Sequence, residues 1–392
     1  MWAMIEKLRM RGVGSVIAGG FGMRGRVAVG GFPPHTRRWR HHRRTPNANR
    51  PARPLPPRSR TASHRRRSIR RYRSVPAGSD SEVTMPTDTL RQIKTILVGS
   101  GLTPESIGGV VTARLLAHRY GAALHLVHVV EPVSEVTERA IPGLAEKHVQ
   151  LAEEELRLFC QSHGLADGVT LHVLRGDPES EILALRAKLH ADLIVVGRYG
   201  KGGLKRGRLG SVADRLLRAS PVSVVIALPE FRGDIQRVGM ACDLHADNDE
   251  FLIRAVEVAS RLGVPEVVLL GSYEVPSGYH MVLTWEEACE KIAHALRERA
   301  DAMIARVARI APGVAVRVRI EEGLPASRIP ALALEERLDL LVLGTHTRTA
   351  PAQVLLGRIS EKIIDAAGCS VWAEKSPKRF QRFVDALAHL LD

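Results

Sequence analysis

The sequence has few of the residues that mark a disulfide scaffold or a zinc domain. Four of its 392 residues are cysteine, no two of them form a Cys-x-x-Cys pair, and they stand far apart, at Cys160, Cys242, Cys289 and Cys369. Single, widely spaced cysteines suit buried thiols in a reducing compartment better than disulfides or zinc ligands. We therefore expect a cytoplasmic protein without a structural metal.

Long apolar runs and catalytic signatures are also missing. An apolar run over residues 12–23 is interrupted by glycines and ends at Arg24. It is too short to span a bilayer and has no convincing cleavage site, so we expect no membrane association. There is no Gly-x-Ser-x-Gly nucleophile elbow, and no cluster of His, Cys and acidic residues has metal-ligand spacing. The sequence therefore indicates no catalytic residue and no metal ligand.

Basic charge is plentiful but is confined to one part of the chain. The formal net charge is +15, and residues 1–84 hold 20 Lys and Arg against three acidic residues, whereas the remaining residues hold 37 and 39. Few apolar residues and a high net charge predict that residues 1–84 are disordered. Three interpretations stay open for this segment: a start codon assigned upstream of the true one at Met85, a tail that binds nucleic acid or another anionic surface, or a transit segment. Nucleic-acid binding is not expected elsewhere in the chain.

The remaining chain repeats itself. The run Ile96–Val98 recurs at Val238–Met240, an offset of 142 residues, whereas Gly197 recurs at Gly344, an offset of 147. Each of these two offsets holds over several landmarks, and such fixed offsets are the signature of tandem domains. The second copy therefore contains about five extra residues, which we expect near residues 273–284.

Within each copy, short apolar runs alternate with amphipathic segments. This alternation predicts an α/β fold, with an open parallel sheet of five strands and helices on both faces in each copy. The predicted domains are residues 88–230 and 235–375, joined by a linker near residues 229–234. A C-terminal amphipathic helix is expected over residues 376–392.

The most informative stretch runs from Gly197 to Ser211 and reads Gly-Arg-Tyr-Gly-Lys-Gly-Gly-Leu-Lys-Arg-Gly-Arg-Leu-Gly-Ser. It follows an apolar strand and precedes a helix that Ser211 is expected to cap, with Asp214 three residues later. Glycines allow a close approach to a ligand, and the unpaired amides of a helix N-terminus attract anions. The stretch contains five basic residues and no acidic one: Arg198, Lys201, Lys205, Arg206 and Arg208. We expect a phosphate-binding loop, the alternative being a basic loop that only joins a strand to a helix.

The spacing of this loop excludes the two commonest nucleotide motifs, because neither Gly-x4-Gly-Lys-Ser/Thr nor Gly-x-Gly-x2-Gly fits it. The pattern that fits is Gly-x2-Gly-x9-Gly-Ser, and over residues 90–375 the chain resembles two tandem domains of the universal stress protein family. The resemblance implies an adenine-nucleotide α-hydrolase-like fold that binds ATP, with or without Mg²⁺. The positions that carry over are Gly197, Gly200, Gly210 and Ser211 for the phosphates and ribose, Val212 beside them, and Val129 for adenine.

Each copy departs from the family pattern in a different way. Gly101 stands where the family has an Asp at the end of the first strand. The second copy retains that residue as Asp243, but it has Thr347 and Arg358 at two of the four loop positions. We therefore expect the first copy to bind the nucleotide and the second copy to be a degenerate scaffold.

Three functions stay open at this point. The leading one is a regulatory protein that binds an adenine nucleotide; the second is an interaction module without a ligand; the third is an ATP-hydrolysing enzyme, for which we can name no base. In the second case the last strands, residues 222–227 and 369–373, would pair in a homodimer or in a pseudo-dimer within one chain. His125 and His128 are expected to be core or strand-end residues of the second strand and not ligands.

Overall fold

The computed structural model describes residues 92–165, 168–200, 209–231, 233–244, 249–344 and 357–375. The basic segment, residues 1–84, and the predicted helix over residues 376–392 lie outside the described residues, so both stay predictions. None of the helices within the described ranges is long and apolar enough to cross a membrane.

The first domain alternates strands and helices as the sequence pattern predicts. Its elements are β1 (Thr95–Gly99), α1 (Ile107–Tyr120), β2 (Ala123–Val130), α2 (Glu135–Ala140), α3 (Leu144–Ser162), β3 (Val169–Arg175), α4 (Pro178–Leu189), β4 (Leu193–Gly197), α5 (Ser211–Ala219) and β5 (Ser223–Ala227). A short 3₁₀ turn, Pro104–Ser106, precedes α1. Helix α4 begins with a proline, whose missing N–H is not needed in the first turn, and the side chain of Asp177 caps it by accepting a hydrogen bond from the Ser180 N–H.

The second domain repeats this order. Its elements are β6 (Val238–Ala241), α6 (Asp249–Leu262), β7 (Glu266–Tyr273), α7 (Trp285–Ile310), β8 (Ala315–Glu322), α8 (Pro325–Glu335), β9 (Leu340–Gly344), α9 (Arg358–Ala366) and β10 (Ser370–Glu374). A 3₁₀ turn, Tyr279–Met281, lies before α7.

The extra residues of the second copy do not lie where the sequence predicts them. The connection from β7 to α7, residues 274–284, is no longer than residues 131–143, which join β2 to α3, whereas helix α7 has 26 residues and its counterpart α3 has 19. Thr284 and Glu287 form a capping box that starts α7 directly after this connection. The added length is therefore helical.

Within the described residues, the ten strands form one sheet, in the order β3-β2-β1-β4-β5-β10-β9-β6-β7-β8. Within each domain neighbouring strands are parallel, which confirms the prediction of five parallel strands in each copy. The two halves join where β5 runs antiparallel to β10, with Trp372 opposite Val225. The strands expected to form the pairing edge therefore pair within one chain.

Helices cover both faces of this sheet. On one face α1, α3, α6 and α7 pack against a core that runs through both domains and includes Trp372, which is fully buried beside the β5–β10 junction. On the other face α4, α5, α8 and α9 pack against a second core. The burial on both faces explains why the strands read as continuous apolar runs. Because helices cover both faces of the sheet, a ligand can bind at the carboxyl ends of the parallel strands.

Candidate functional site

A cavity of about 610 Å³ lies at the carboxyl ends of β1, β2 and β4 in the first domain. All six residues that the sequence analysis selected line it: Val129, Gly197, Gly200, Gly210, Ser211 and Val212. They come from the end of β2, the end of β4 and the start of α5. The fold thus brings the predicted residues to one place, and their part in binding stays a prediction. The volume is in the range of about 300–1,000 Å³ that is usual for small-molecule sites.

Two of the three glycines in the Gly-x2-Gly-x9-Gly pattern lie so close to neighbouring backbone that a side chain would crowd it. A Cβ on Gly197 would lie 3.1 Å from the carbonyl oxygen of Glu105, and one on Gly210 would lie 3.2 Å from the backbone nitrogen of Gly200. Gly200 differs, because no described atom lies within 4 Å of the place where its Cβ would be. Gly200 itself lines the cavity.

The start of α5 differs from the sequence prediction in one respect. We expected Ser211 to be the N-cap, but Gly210 adopts the extended N-cap conformation, with φ −62° and ψ 146°, and Ser211 is the first helical residue. A glycine fits there because a Cβ would crowd the returning loop backbone. The first amides of the helix still have no intrahelical acceptor. The exposed Ser211 side chain stands beside them at the cavity.

Polar groups beneath the cavity hold the connection after β1 in place. The side chain of Ser100 contacts that of Ser106, with 2.9 Å between the hydroxyl oxygens, and it accepts a hydrogen bond from the Leu102 N–H. His128 is 4% exposed, and its Nδ1 lies 2.8 Å from the carbonyl oxygen of Ser100. His128 is therefore a buried residue, as expected, but it also lines the cavity, which the sequence pattern did not indicate.

The carboxylate at this cavity comes from an unpredicted position. Gly101, which replaces the family Asp, lines the cavity and contributes no side chain. Glu131 follows the end of β2 and lines the same cavity as an exposed residue. Among the described lining residues it is the single acidic one, and nothing in the sequence pattern pointed to it. The described residues contain no group of three or more His, Cys, Asp and Glu side chains that could hold a metal ion.

Arg198, which we predicted as a cation of the phosphate loop, has a different role. Its side chain is 2% exposed and extends to the second domain, where Nη1 donates to the carbonyl of Ala367 at 2.7 Å. Nη2 donates to the carbonyls of Ile364 and Asp365, both at 2.5 Å. Lys201, Lys205, Arg206 and Arg208, the other predicted cations, lie outside the described residues.

The corresponding end of the second domain is packed differently. The ring of Phe251 lies 2.6–2.9 Å from the place where a Cβ of Gly344 would be, and the hydroxyl of Ser360 donates to the Gly344 carbonyl at 3.2 Å. The strand register places Gly271 where the first domain has His128, and Leu244 packs over it. Burial raises the pKa of the Cys242 thiol, which corresponds to Ser100, so this group stays neutral.

The loop of the second domain is described only in part. Asp243 is exposed at the end of β6, and Arg358 is the exposed first residue of α9, as Ser211 is of α5. Thr347 lies outside the described residues.

Comparisons with known proteins agree with this architecture. A family model described as "Universal stress protein family" matches residues 92–227 and again residues 234–374. A universal stress protein of Mycolicibacterium smegmatis is 30% identical over 283 residues, which are 69% of this chain and 94% of the relative. A solved structure of a putative universal stress protein from Pseudomonas aeruginosa matches with a TM-score of 0.53 and 19% identity, over 76% of this chain and 98% of that one. One from Archaeoglobus fulgidus matches with a TM-score of 0.50 and 18% identity, over 73% and 100%.

Proposed function

The chain belongs to the universal stress protein family, and on that premise we propose that it is a regulatory protein that binds ATP or another adenine nucleotide in its first domain. The observation that carries this proposal is the meeting of all six predicted residues at one cavity. Occupancy of that cavity would set the conformation or assembly of the chain, and no step of the proposal requires hydrolysis. The scattered free cysteines support a reducing, cytoplasmic location.

The two sides of the cavity suit the two ends of a nucleotide. Val129, Ile182 and Val212 give an apolar wall for the base, and the start of α5 offers backbone amides to the phosphates. A magnesium ion would enter with the phosphates, since such ions usually retain water and take only one or two protein carboxylates. Glu131 is the carboxylate available for that role among the described lining residues.

We propose that the second domain is a scaffold that does not bind nucleotide itself. Arg358 stands in place of the hydroxyl of Ser211, and apolar side chains, Phe251 and Leu244, pack around the strand ends. The two domains already pair through β5 and β10, so the proposed site needs no second copy of the chain.

Calorimetric titration of the full chain with ATP, ADP and AMP tests the proposal. The test variant is Val212→Glu, which places a carboxylate at the cavity, and the matched control is Ile359→Glu, the same change at the same helical position of α9. An acidic residue is favourable in the first turn of a helix, so both variants should fold. We expect Val212→Glu to weaken ATP binding on the order of 100-fold, because like charges placed together cost several kcal/mol. Ile359→Glu should bind as the unchanged protein does.

Three results would overturn the proposal. If the unchanged protein binds none of the three nucleotides, the interaction module becomes the better account of the chain. If it turns ATP over rapidly, the protein is an enzyme. Equal binding by both variants would place the nucleotide elsewhere on the molecule.

A further inference from the structure

Arg198 connects the candidate site to a helix of the other domain. It directly follows the last residue of β4, and its own N–H donates to the Ala227 carbonyl at the end of β5. Its guanidinium, however, lies at the C-terminus of α9, where it donates three hydrogen bonds to backbone carbonyls of residues 364, 365 and 367. A residue that stands between two cavity-lining residues, Gly197 and Tyr199, thus caps a helix of the second domain.

The chemistry of this contact favours arginine. The last carbonyls of a helix have no intrahelical donor and carry partial negative charge, which a cation stabilises. Guanidinium presents several N–H groups in a fixed plane, so one side chain can reach three carbonyls. Arg198 is buried at this contact. It also neutralises the negative end of α9 beside a cavity that we propose to bind phosphates.

The other end of the loop is attached to the same helix. The N–H of Leu209 donates to the side-chain Oδ1 of Asp365 at 3.3 Å, and Leu209 itself lines the cavity. Next along the chain, the N–H of Gly210 donates to the Arg198 carbonyl at 2.8 Å. The two described ends of the loop are therefore bonded to each other and to one turn of α9.

We infer that the second domain positions the nucleotide site of the first, through Arg198 and Asp365. These are positioning residues and not ligands, and the inference rests on the proposed function. The second domain, which we propose binds no nucleotide itself, then helps to form the binding site of the first domain. Because coupling between sites is reciprocal, binding in the first domain must also stabilise the C-terminus of α9.

The test uses four variants of the full chain. Arg198→Gln removes both the charge and the planar guanidinium, whereas Arg198→Lys retains the charge on a single ammonium group. Asp365→Ala removes the hydrogen bond to the Leu209 N–H. The control is Lys375→Met, which removes another contact between the domains: the Lys375 Nζ donates to the Leu217 carbonyl of α5 at 2.8 Å and touches neither end of the loop. Affinity for ATP is measured by calorimetry, and amide hydrogen exchange is followed in peptides covering residues 209–213 and 358–369.

We expect Arg198→Gln to weaken ATP binding by roughly 5- to 150-fold, the usual range of coupling between sites. Arg198→Lys should recover part of this loss, Asp365→Ala should lose less, and Lys375→Met should bind normally. In the unchanged protein, ATP should slow exchange in both peptides. In Arg198→Gln at saturating ATP, only residues 209–213 should be protected. A merely structural arginine would lower affinity without abolishing the protection of α9.

Normal affinity and normal protection of α9 in the Arg198 variants would overturn the inference. Failure of the unchanged protein to bind ATP would overturn the proposed function, and with it the coupling to α9. Positioning of the loop would then be decided in the ligand-free protein: faster exchange over residues 209–213 in Arg198→Gln than in the unchanged chain supports it, and equal exchange overturns it.

Discussion

The end of β4 in the first domain and the end of β9 in the second occupy equivalent places in the sheet but have different neighbours. In the first domain Gly109 of α1 approaches Gly197 so closely that a Cβ on Gly109 would lie 2.9 Å from the Gly197 nitrogen. In the second domain the residue at the corresponding place is Phe251, whose ring lies against Gly344. One copy maintains close backbone approach beside a cavity, and the other covers the same strand end with an aromatic ring.

The two helices that follow these strand ends also differ in what caps them across the domain boundary. Helix α9 is capped by Arg198 of the first domain with three hydrogen bonds, and α5 is capped by Lys375 of the second domain with one. Between them, Arg218 of α5 bonds to Glu361 of α9 at 2.8 Å. The capping is reciprocal but unequal, and the stronger cap adjoins the candidate site.

The largest effect on the free energy of unfolding is expected from a substitution where the two domains join. Glu374 is buried and accepts hydrogen bonds from Arg254 at 3.0 Å and from Ser223 and Trp372 at 2.7 Å each. The substitution Glu374→Ala should lower the free energy of unfolding by about 3–5 kcal/mol, because it leaves a buried guanidinium without one of its carboxylates. Urea denaturation of the full chain measures the change.

The control for this experiment is Glu335→Ala at the surface. Glu335 is 44% exposed and pairs with Arg319 and Arg328. Its loss should cost less than about 1 kcal/mol, as is usual for exposed ion pairs. A similar cost for both variants would show that the buried junction does not hold the two domains together.

A matched pair of substitutions at the first helical residue sharpens the comparison of the two sites. Removing the hydroxyl in Ser211→Ala should weaken ATP binding by about tenfold, since a hydrogen bond to a charged group is worth about 1.5–3 kcal/mol. Arg358→Ala, at the same place in α9, should leave the affinity unchanged. Calorimetry on both variants measures the difference. If Arg358→Ala weakened binding as much as Ser211→Ala, the second domain would also bind nucleotide.

The smallest effect is expected in the pH dependence of stability, through Lys375, which caps α5 with one hydrogen bond. Burial lowers the pKa of Lys375 to about 8, below its ordinary value of 10.5. Between these two values the unfolded chain binds a proton that the folded chain lacks, so stability rises with pH in this window and is flat below it. Relative to Lys375→Met, the free energy of unfolding of the unchanged protein should rise by about 1 kcal/mol between pH 8 and 10. The rise is limited because part of the Lys375 side chain remains in contact with solvent.

Denaturation curves at pH 7, 8, 9 and 10 for both proteins measure this gain. A difference that falls with pH would contradict the assignment of the low pKa to Lys375.

The sequence allowed the fold to be predicted because periodicity and repetition are local patterns. Alternating strands and helices, the repeat of Gly197 at Gly344 and the apolar last strands were enough to predict two parallel sheets and the edge where they pair. The same repeat misplaced the extra residues, since an offset locates an insertion only between two landmarks. The structure shows that the added length is helical, because α7 has 26 residues and α3 has 19.

The parts of the site that could not be predicted depend on where side chains point. Nothing in the order of residues shows that Arg198, one of five loop cations, turns to a helix about 170 residues away in the chain. Ser211 was misassigned as the cap because Ser-x-x-Asp is typical of a helix start, whereas in the structure Gly210 is the N-cap and Ser211 and Asp214 both lie in the first turn of the helix. Glu131 and His128 reach the cavity only because β2 lies beside β1.

The central claim is that one domain of the pair binds nucleotide and the other supports it. Native mass spectrometry of the full chain, titrated with ATP, counts the bound molecules directly. The account predicts one ATP for each chain, lost in Val212→Glu and retained in Ile359→Glu. Two ATP molecules for each chain, or none, would contradict it.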